Sequence, residues 1–260
     1  MLNFGKSESL EAQNAFVLLT NKYSQQFATN LSELPQANVP KVRIVEKPNS
    51  WPVASKPYRS NATEVAKMSE LISSYREDEI VVDMDSPLAA PAFLTLKKDG
   101  NYCPVFDFCK LNAQTERINF PLPNIDDHLA DLSLASCFTV LDLFLGYLQI
   151  PLDEESLLKT AFISTNESGM LTRVPFGLCN APAKFSRIMM YILGNLRNCI
   201  AFNYMDDVLI LGKLVDGMLH RLEQVLIKLK EAKLACRLEK CLFAHEQIEF
   251  LGFEIADGQV

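Results

Sequence analysis

Several things this sequence lacks bound what it can be. No uncharged apolar run reaches the eighteen or so residues that a membrane-spanning helix needs. The first residues, Met1–Lys6, carry no basic segment followed by an apolar stretch, so no secretory leader is read. The seven cysteines are an odd number without a CxxC pair, in a chain of 260 residues that is long enough to bury a core without staples. Reduced thiols inside a cell are the expectation. No internal repeat or low-complexity tract occurs. Positive charge is also short: 25 Lys and Arg stand against 32 Asp and Glu, a formal net charge of −7. That balance argues against nucleic acid, because phosphate contacts need basic side chains. Any nucleic-acid reading must therefore rest on local features that outweigh it.

The remaining composition, 48% hydrophobic and 22% charged, is that of an ordinary folded domain. Loose helical periodicity runs through Leu10, Val17, Leu18 and Phe27. Prolines crowd residues 35–58, which read as extended chain with a strand over Lys41–Val45. Asn61 and Glu64 form a capping box for a helix with Val65, Met68, Ile72 and Tyr75 inward. Ala92–Leu96 and Val105–Phe106 read as strands joined by a Lys97-Lys98-Asp99-Gly100 turn. A short helix opens at Pro123. Strands at Ala161–Ser164 and Leu171–Val174 flank a Glu167-Ser168-Gly169 turn, and Pro182–Leu196 reads as a helix with Asn180 as its cap. Ile200–Tyr204 and Val208–Leu211 read as strands, Leu219–Leu234 as an amphipathic helix, and Glu249–Ile255 as closing strands. Helices and hairpins follow without βαβ alternation, so the fold class is α+β.

Two acidic features stand out. Asp206 and Asp207 interrupt two apolar strands, and a lone acid, Asp142, ends the apolar run Phe138–Leu143. Adjacent buried carboxylates repel each other and are costly to desolvate, so such a placement calls for a cation. A solvated turn is the plain alternative for the pair taken alone. Carboxylates at two strand ends of one sheet can hold two Mg²⁺ ions about 3.5–4 Å apart. Cys236, Cys241 and His245 have a loosely zinc-like spacing, but no fourth ligand fits, and they read as free groups on a core hairpin.

Lys110–Asn112, Phe138–Leu152, Pro175–Pro182, Tyr204–Asp207 and Glu239–Gly252 occur in an order and spacing that resembles a reverse transcriptase of gypsy-type LTR retroelements. The resemblance covers about residues 40–260. It implies a right-hand polymerase with an antiparallel palm sheet packed on helices. Residues 1–40 would be a helical extension, 41–136 mainly fingers, and 137–260 mainly palm with a fingers portion at about 153–176. Asp142, Asp206 and Asp207 would be the catalytic acids and metal ligands for two Mg²⁺ ions, with Mn²⁺ as a substitute. Tyr147 would be the aromatic gate against a 2′-hydroxyl, although it reads equally as a core tyrosine. Phe176 and Gly177 would line the nucleotide and template side. Lys97 and Lys98 would meet the triphosphate, where a bare lysine pair reads as a solvated turn. Leu251, Gly252 and Phe253 would form the primer grip, or an ordinary hairpin.

The implied partners are an RNA or DNA template-primer duplex and a dNTP, with no membrane involved. The implied location is a cytoplasmic particle, the nucleus, or both. The sequence ends at Val260 shortly after the primer-grip segment, so the thumb, connection and RNase H portions of a Pol polyprotein are expected elsewhere. Cys103 and Cys109 stand where the family commonly has arginine, one C-to-T transition away in codon terms. Leu145 and Gly217 depart from the family as well. These departures keep a second expectation open, an inert retroelement remnant acting at most as a binding module.

Overall fold

The computed structural model describes residues 2–5, 9–83, 85–96, 100–120 and 135–256. The chain divides into two units. Unit 1 comprises residues 1–38, 120–146 and 185–260; unit 2 comprises residues 39–119 and 147–184.

Unit 1 is built on a five-stranded sheet in the order β1-β10-β5-β9-β8. Its strands are β1 (Asn3–Phe4), β5 (Cys137–Asp142), β8 (Ala201–Tyr204), β9 (Asp207–Gly212) and β10 (Leu242–His245). All neighbours are antiparallel except β1 and β10, which are parallel. The central pair is fully registered from Cys137 opposite Gly212 to Asp142 opposite Asp207. Every residue of Phe138–Leu141 and Val208–Leu211 is buried, so both faces of this pair are covered. A helix, α6 (Val215–Glu231), lies against β9 and β5 with Met218, Leu222, Val225, Leu226 and Leu229 buried. This matches the expected amphipathic helix, displaced by a few residues at its start. The hairpin β11 (Gln247–Phe250) and β12 (Phe253–Ala256) contributes Ile248, Phe250 and Ile255 to one cluster with Phe138, Val140, Leu209 and Leu211. Side chains alternate along strands, so Phe138, Val140 and Asp142 share a face, as do Asp207, Leu209 and Leu211 opposite them. The acids therefore end the same sheet face that the β11–β12 hairpin covers.

Helix α1 (Leu10–Lys22) starts at Ser9, whose side chain accepts from Ala12 N. The face expected from periodicity is not the one buried. Leu10 and Leu18 are exposed, whereas Phe16 and Thr20 face inward. The reason is aromatic: Phe16 packs with Phe4 and Phe243, with ring centroids 5.9 and 6.0 Å apart. The Thr20 hydroxyl is satisfied by the Phe16 carbonyl at 3.0 Å, so a polar residue tolerates the buried side.

Unit 2 holds the second five-stranded sheet, β2-β7-β6-β3-β4. The strands are β2 (Val81–Val82), β3 (Ala90–Leu96), β4 (Tyr102–Phe106), β6 (Phe162–Ile163) and β7 (Ser168–Leu171). Helix α2 (Ala62–Glu77) opens with the expected capping box between Asn61 and Glu64 and buries Met68, Ile72 and Tyr75. Two short helices, α3 (Cys109–Gln114) and α4 (Glu154–Lys159), follow. Helix α5 (Ala181–Leu193) begins at the end of unit 2 and continues into unit 1, where Phe185, Met189 and Ile192 are buried.

Three local expectations change. Lys41–Val45 forms no strand; Val42 makes one isolated bridge to Leu152, and Ile44 N donates to Ser156 Oγ at 2.7 Å. A side-chain oxygen there takes the place of a sheet partner. The β6–β7 turn lies earlier than read, with Ser164 N donating to Glu167 O at 2.7 Å and Glu167 N to Ser164 Oγ at 3.1 Å. Ser168 and Gly169 are thereby freed to enter β7. Asn180 presents its carbonyl to Lys184 N at 2.9 Å, but its side chain does not cap the helix. The side chain instead accepts from Ile118 N at 3.0 Å and donates to Glu116 O at 2.7 Å. The helix expected at Pro123 lies outside the described residues.

Candidate active site

The β8–β9 hairpin closes on two residues, Met205 and Asp206, with Tyr204 paired to Asp207. Two-residue hairpin turns need positive φ at their first central position, and Met205 supplies it at 51°. A bulky residue there is strained, and Asn203 offsets part of that cost by donating from Nδ2 to Met205 O at 2.9 Å. Asp207 thus begins a strand, and Asp206 alone occupies the tip beside Met205. Leu143 N donates to Asp206 O at 2.7 Å, tying the tip to the end of β5.

The three acids come together at this end of the unit 1 sheet. Asp142 and Asp207 are direct register partners, and Asp206 precedes the second of them. Their surroundings differ. Asp142 Oδ2 accepts from Lys240 Nζ at 3.1 Å, and its side chain keeps 20% of its exposure. Asp206 Oδ1 is buried with no hydrogen-bond partner among the described residues. Burial pushes the Asp206 carboxyl up to about 7, helped by the charges of Asp142 and Asp207 and opposed by Lys240. Asp207 is raised for the same reasons, burial first and Asp142 next. Desolvated like charges with one ammonium nearby produce this pattern, and such clusters mark functional sites.

Gly146 makes the room that Asp206 needs. A Cβ on Gly146 would lie 2.4 Å from Asp206 Oδ1 and 2.9 Å from the Phe185 ring. Among the described residues no three His, Cys, Asp or Glu side chains form a preformed metal cage. An all-oxygen site of two or three carboxylates, completed by substrate phosphates, has no need of one; Mg²⁺ is held in this way. The buried, unpartnered oxygen of Asp206 is the observation that fits a divalent cation here.

Leu251, Gly252 and Phe253, the residues expected to form a primer grip, lie at the tip of the β11–β12 hairpin. Leu251 and Gly252 take φ of 56° and 82°, the pair of left-handed conformations a type I′ turn requires, and Phe253 opens β12 with its side chain partly exposed.

In unit 2, Tyr147 is buried and its ring lies 5.2 Å from that of Phe176, which is largely exposed. Gly177 adopts φ 90°. Asn112 grips this loop with both ends of its amide: Nδ2 donates to Gly177 O at 2.7 Å and Oδ1 accepts from Cys179 N at 2.8 Å. A cleft of about 640 Å³ within the same unit is lined by Tyr58, Phe93, Phe106, Asp107, Cys109 and Gly177, among others. Tyr58 meets the Phe93 ring edge-on at 5.6 Å and donates to Asp107 Oδ2 at 2.7 Å. Asp107 Oδ1 accepts from Cys109 N at 3.0 Å, and the Cys109 thiol first, then its backbone N–H and the Tyr58 hydroxyl, hold the carboxyl below the usual range. Cys103 sits mid-strand opposite Thr95, its thiol directed to Pro104 O at 3.7 Å. Lys97 and Lys98 lie outside the described residues. Three contributors escaped the sequence reading: Lys240, Gly146 and Asn112. All three stand inside or beside segments singled out there, but nothing local marks Lys240 as a partner of a residue 98 positions away.

Comparison with known proteins resolves the family. The family described as "Reverse transcriptase (RNA-dependent DNA polymerase)" matches residues 95–255. The chain belongs to the reverse transcriptase family. Among curated relatives, it is 34% identical over 245 residues to the retrovirus-related Pol polyprotein from transposon 412 of Drosophila melanogaster, covering 92% of this chain and 20% of that one. To the Pol polyprotein from transposon gypsy of the same organism it is 31% identical over 239 residues, covering 89% and 23%. This reverse transcriptase chain therefore spans about a fifth of the length of these relatives. The gypsy-type retroelement resemblance is borne out. The fold is similar to that of part of foamy viral protease–reverse transcriptase. One structure of that protein, in complex with double-stranded DNA, superposes with a TM-score of 0.87 at 22% identity over 96% of this chain and 44% of that one. Another, with an RNA/DNA hybrid, gives 0.83 at 22% identity over 96% and 34%. No helix among the described residues is long and apolar enough to cross a membrane.

Proposed function

We propose that this chain carries the polymerising centre of a retroelement reverse transcriptase, adding deoxynucleotides to a primer 3′ end under the direction of an RNA or DNA template. The observation that carries this reading is the meeting of Asp142, Asp206 and Asp207 at one sheet end, with the Asp206 Oδ1 buried and unpartnered. An oxygen-only donor set of high negative charge suits Mg²⁺, with Mn²⁺ as a substitute. When bound, a pair of such ions neutralises charge on the attacking and leaving oxygens of an in-line displacement.

The chain's own residues do the rest. Asp142, Asp206 and Asp207 would hold the ions, and the repulsion among their carboxylates favours binding of positive charge there. We assign unit 1 to the palm and unit 2 to the fingers. The β11–β12 turn, Leu251-Gly252-Phe253, is the primer grip, set rigidly by its two left-handed residues. Tyr147, backed by Phe176, is the sugar gate; its buried ring leaves no slack to accept an added hydroxyl. Gly177, fixed by Asn112, keeps that loop in place beside the nucleotide. Tyr58 and Phe93 offer the unit 2 cleft aromatic faces on which template bases stack, a mode of binding that needs little net positive charge. Triphosphate affinity falls to Lys97 and Lys98, since Cys103 supplies no cation.

Single-nucleotide addition to oligo(dT) on poly(rA) with Mg²⁺ tests this reading. Addition is expected from the parent chain and lost in Asp206→Asn. Cys103→Arg is expected to lower the KM for dTTP by roughly tenfold, the worth of a charge-assisted bidentate contact. Equal addition by the parent and Asp206→Asn would refute the assignment of the centre.

A further inference from the structure

Among the described residues Lys240 is the cation paired with the acid cluster, and its segment is fastened to the same strand end. Arg237 N donates to Asp142 O at 2.7 Å, Lys240 N donates to Arg237 O at 3.0 Å, and Lys240 Nζ reaches Asp142 Oδ2 at 3.1 Å. Two contacts to one residue, backbone to backbone and side chain to side chain, make the 237–240 turn a clasp on Asp142. The two ends of the ion pair are unequal. Asp142 keeps 20% of its side-chain exposure and Lys240 keeps 58%, so the ammonium can return to water at little cost while the carboxylate stays where it is. Lysine suits this better than arginine, because a single point charge on a flexible stem lets go more easily than a bidentate fork.

We propose that Lys240 is a stand-in cation: it neutralises Asp142 while the site holds no metal, and it is displaced from Oδ2 when a divalent ion binds. Lys240 is then a positioning residue that sets how readily the site takes up a cation. This rests on the reading of the three acids as a metal site. The ion pair is exchanged for coordination: Asp142 Oδ2 would become a ligand of the ion, and the ammonium, still protonated, would return to solvent.

Direct Mn²⁺ binding, followed by electron paramagnetic resonance of the free ion, tests the proposal without relying on catalysis. Lys240→Met is expected to bind Mn²⁺ roughly two- to fivefold more tightly than the parent, since a competitor worth an exposed ion pair has gone. Lys240→Arg is expected to bind more weakly than Lys240→Met. The same Lys240→Met chain should melt lower than the parent in chelator, with the gap closing at saturating Mg²⁺. Asp206→Asn separates the two ideas. If Asp206→Asn leaves Mn²⁺ binding unchanged, the metal-site reading itself fails. If Asp206→Asn weakens binding while Lys240→Met binds no more tightly than the parent, the metal site stands and the stand-in role is overturned.

Discussion

Asp142 and Asp207 face one another across the central strand pair of unit 1, the last rung of a ladder that begins with Cys137 and Gly212. Like charges placed directly opposite in a sheet are destabilising, and the adjoining Asp206 adds a third acid that is mostly desolvated. The native fold carries this arrangement at a cost, which a cation relieves.

That cost should be visible as a pH dependence of stability. In the unfolded chain Asp206 ionises near its ordinary value of 3.8, whereas in the folded chain it keeps its proton until about pH 7. Between those values the folded state binds more protons than the unfolded one, so stability falls as pH rises from about 4 to about 7 and levels off above that. A displacement of this size corresponds to about 4 kcal/mol. Thermal melts in chelator across this range should show the decline. Asp206→Asn, which cannot ionise, should shrink the decline to what Asp207 contributes and melt above the parent at pH 8.

Gly146 gives a steric test of the same site. In Gly146→Ala the new methyl would meet Asp206 Oδ1 and the Phe185 ring at distances no real Cβ contact shows. Something must shift, at about 1–3 kcal/mol in a packed site. We expect a lower denaturation midpoint and weaker Mn²⁺ binding together. A variant that loses neither would show that Asp206 has room to move.

A third prediction is remote from the chemistry. Helix α6 ends in a Schellman arrangement, with Leu234 N donating to Leu229 O at 2.9 Å and Lys233 N to Lys230 O at 3.1 Å. Lys233, the first residue past the helix cap, is exposed and sits at φ 52°, a conformation glycine adopts freely. Lys233→Gly should stabilise the chain by about 1 kcal/mol without altering metal binding. Urea denaturation reads the gain directly.

Much of this was legible from the residues. The capping box at Asn61, the strand ending in Asp142 and the hairpin carrying Asp206 and Asp207 follow from periodicity and turn chemistry, and the structure has them. The face of α1 was not legible. Its aliphatic residues Leu10 and Leu18 point to solvent because aromatic contacts of Phe16 with Phe4 and Phe243 decide the docking, and those partners come from the far ends of the chain. The role of Asn180 was likewise hidden, since the groups it bonds, at Glu116 and Ile118, lie more than sixty residues away. In the site, residue types announced the acids, but the ammonium that accompanies Asp142 and the glycine that admits Asp206 are defined by tertiary contact alone.

The full registration of β5 against β9 ties the fate of the chemistry to that of the core. Sliding one strand by a single position would carry Asp142 and the buried Phe138 and Val140 together to the other face. A copy drifting under mutation therefore has no route by which the greasy interior survives while its acids merely wander. So long as the interior packs, the carboxylates stay aligned, and an element silenced by surface lesions alone would keep a centre that could be revived.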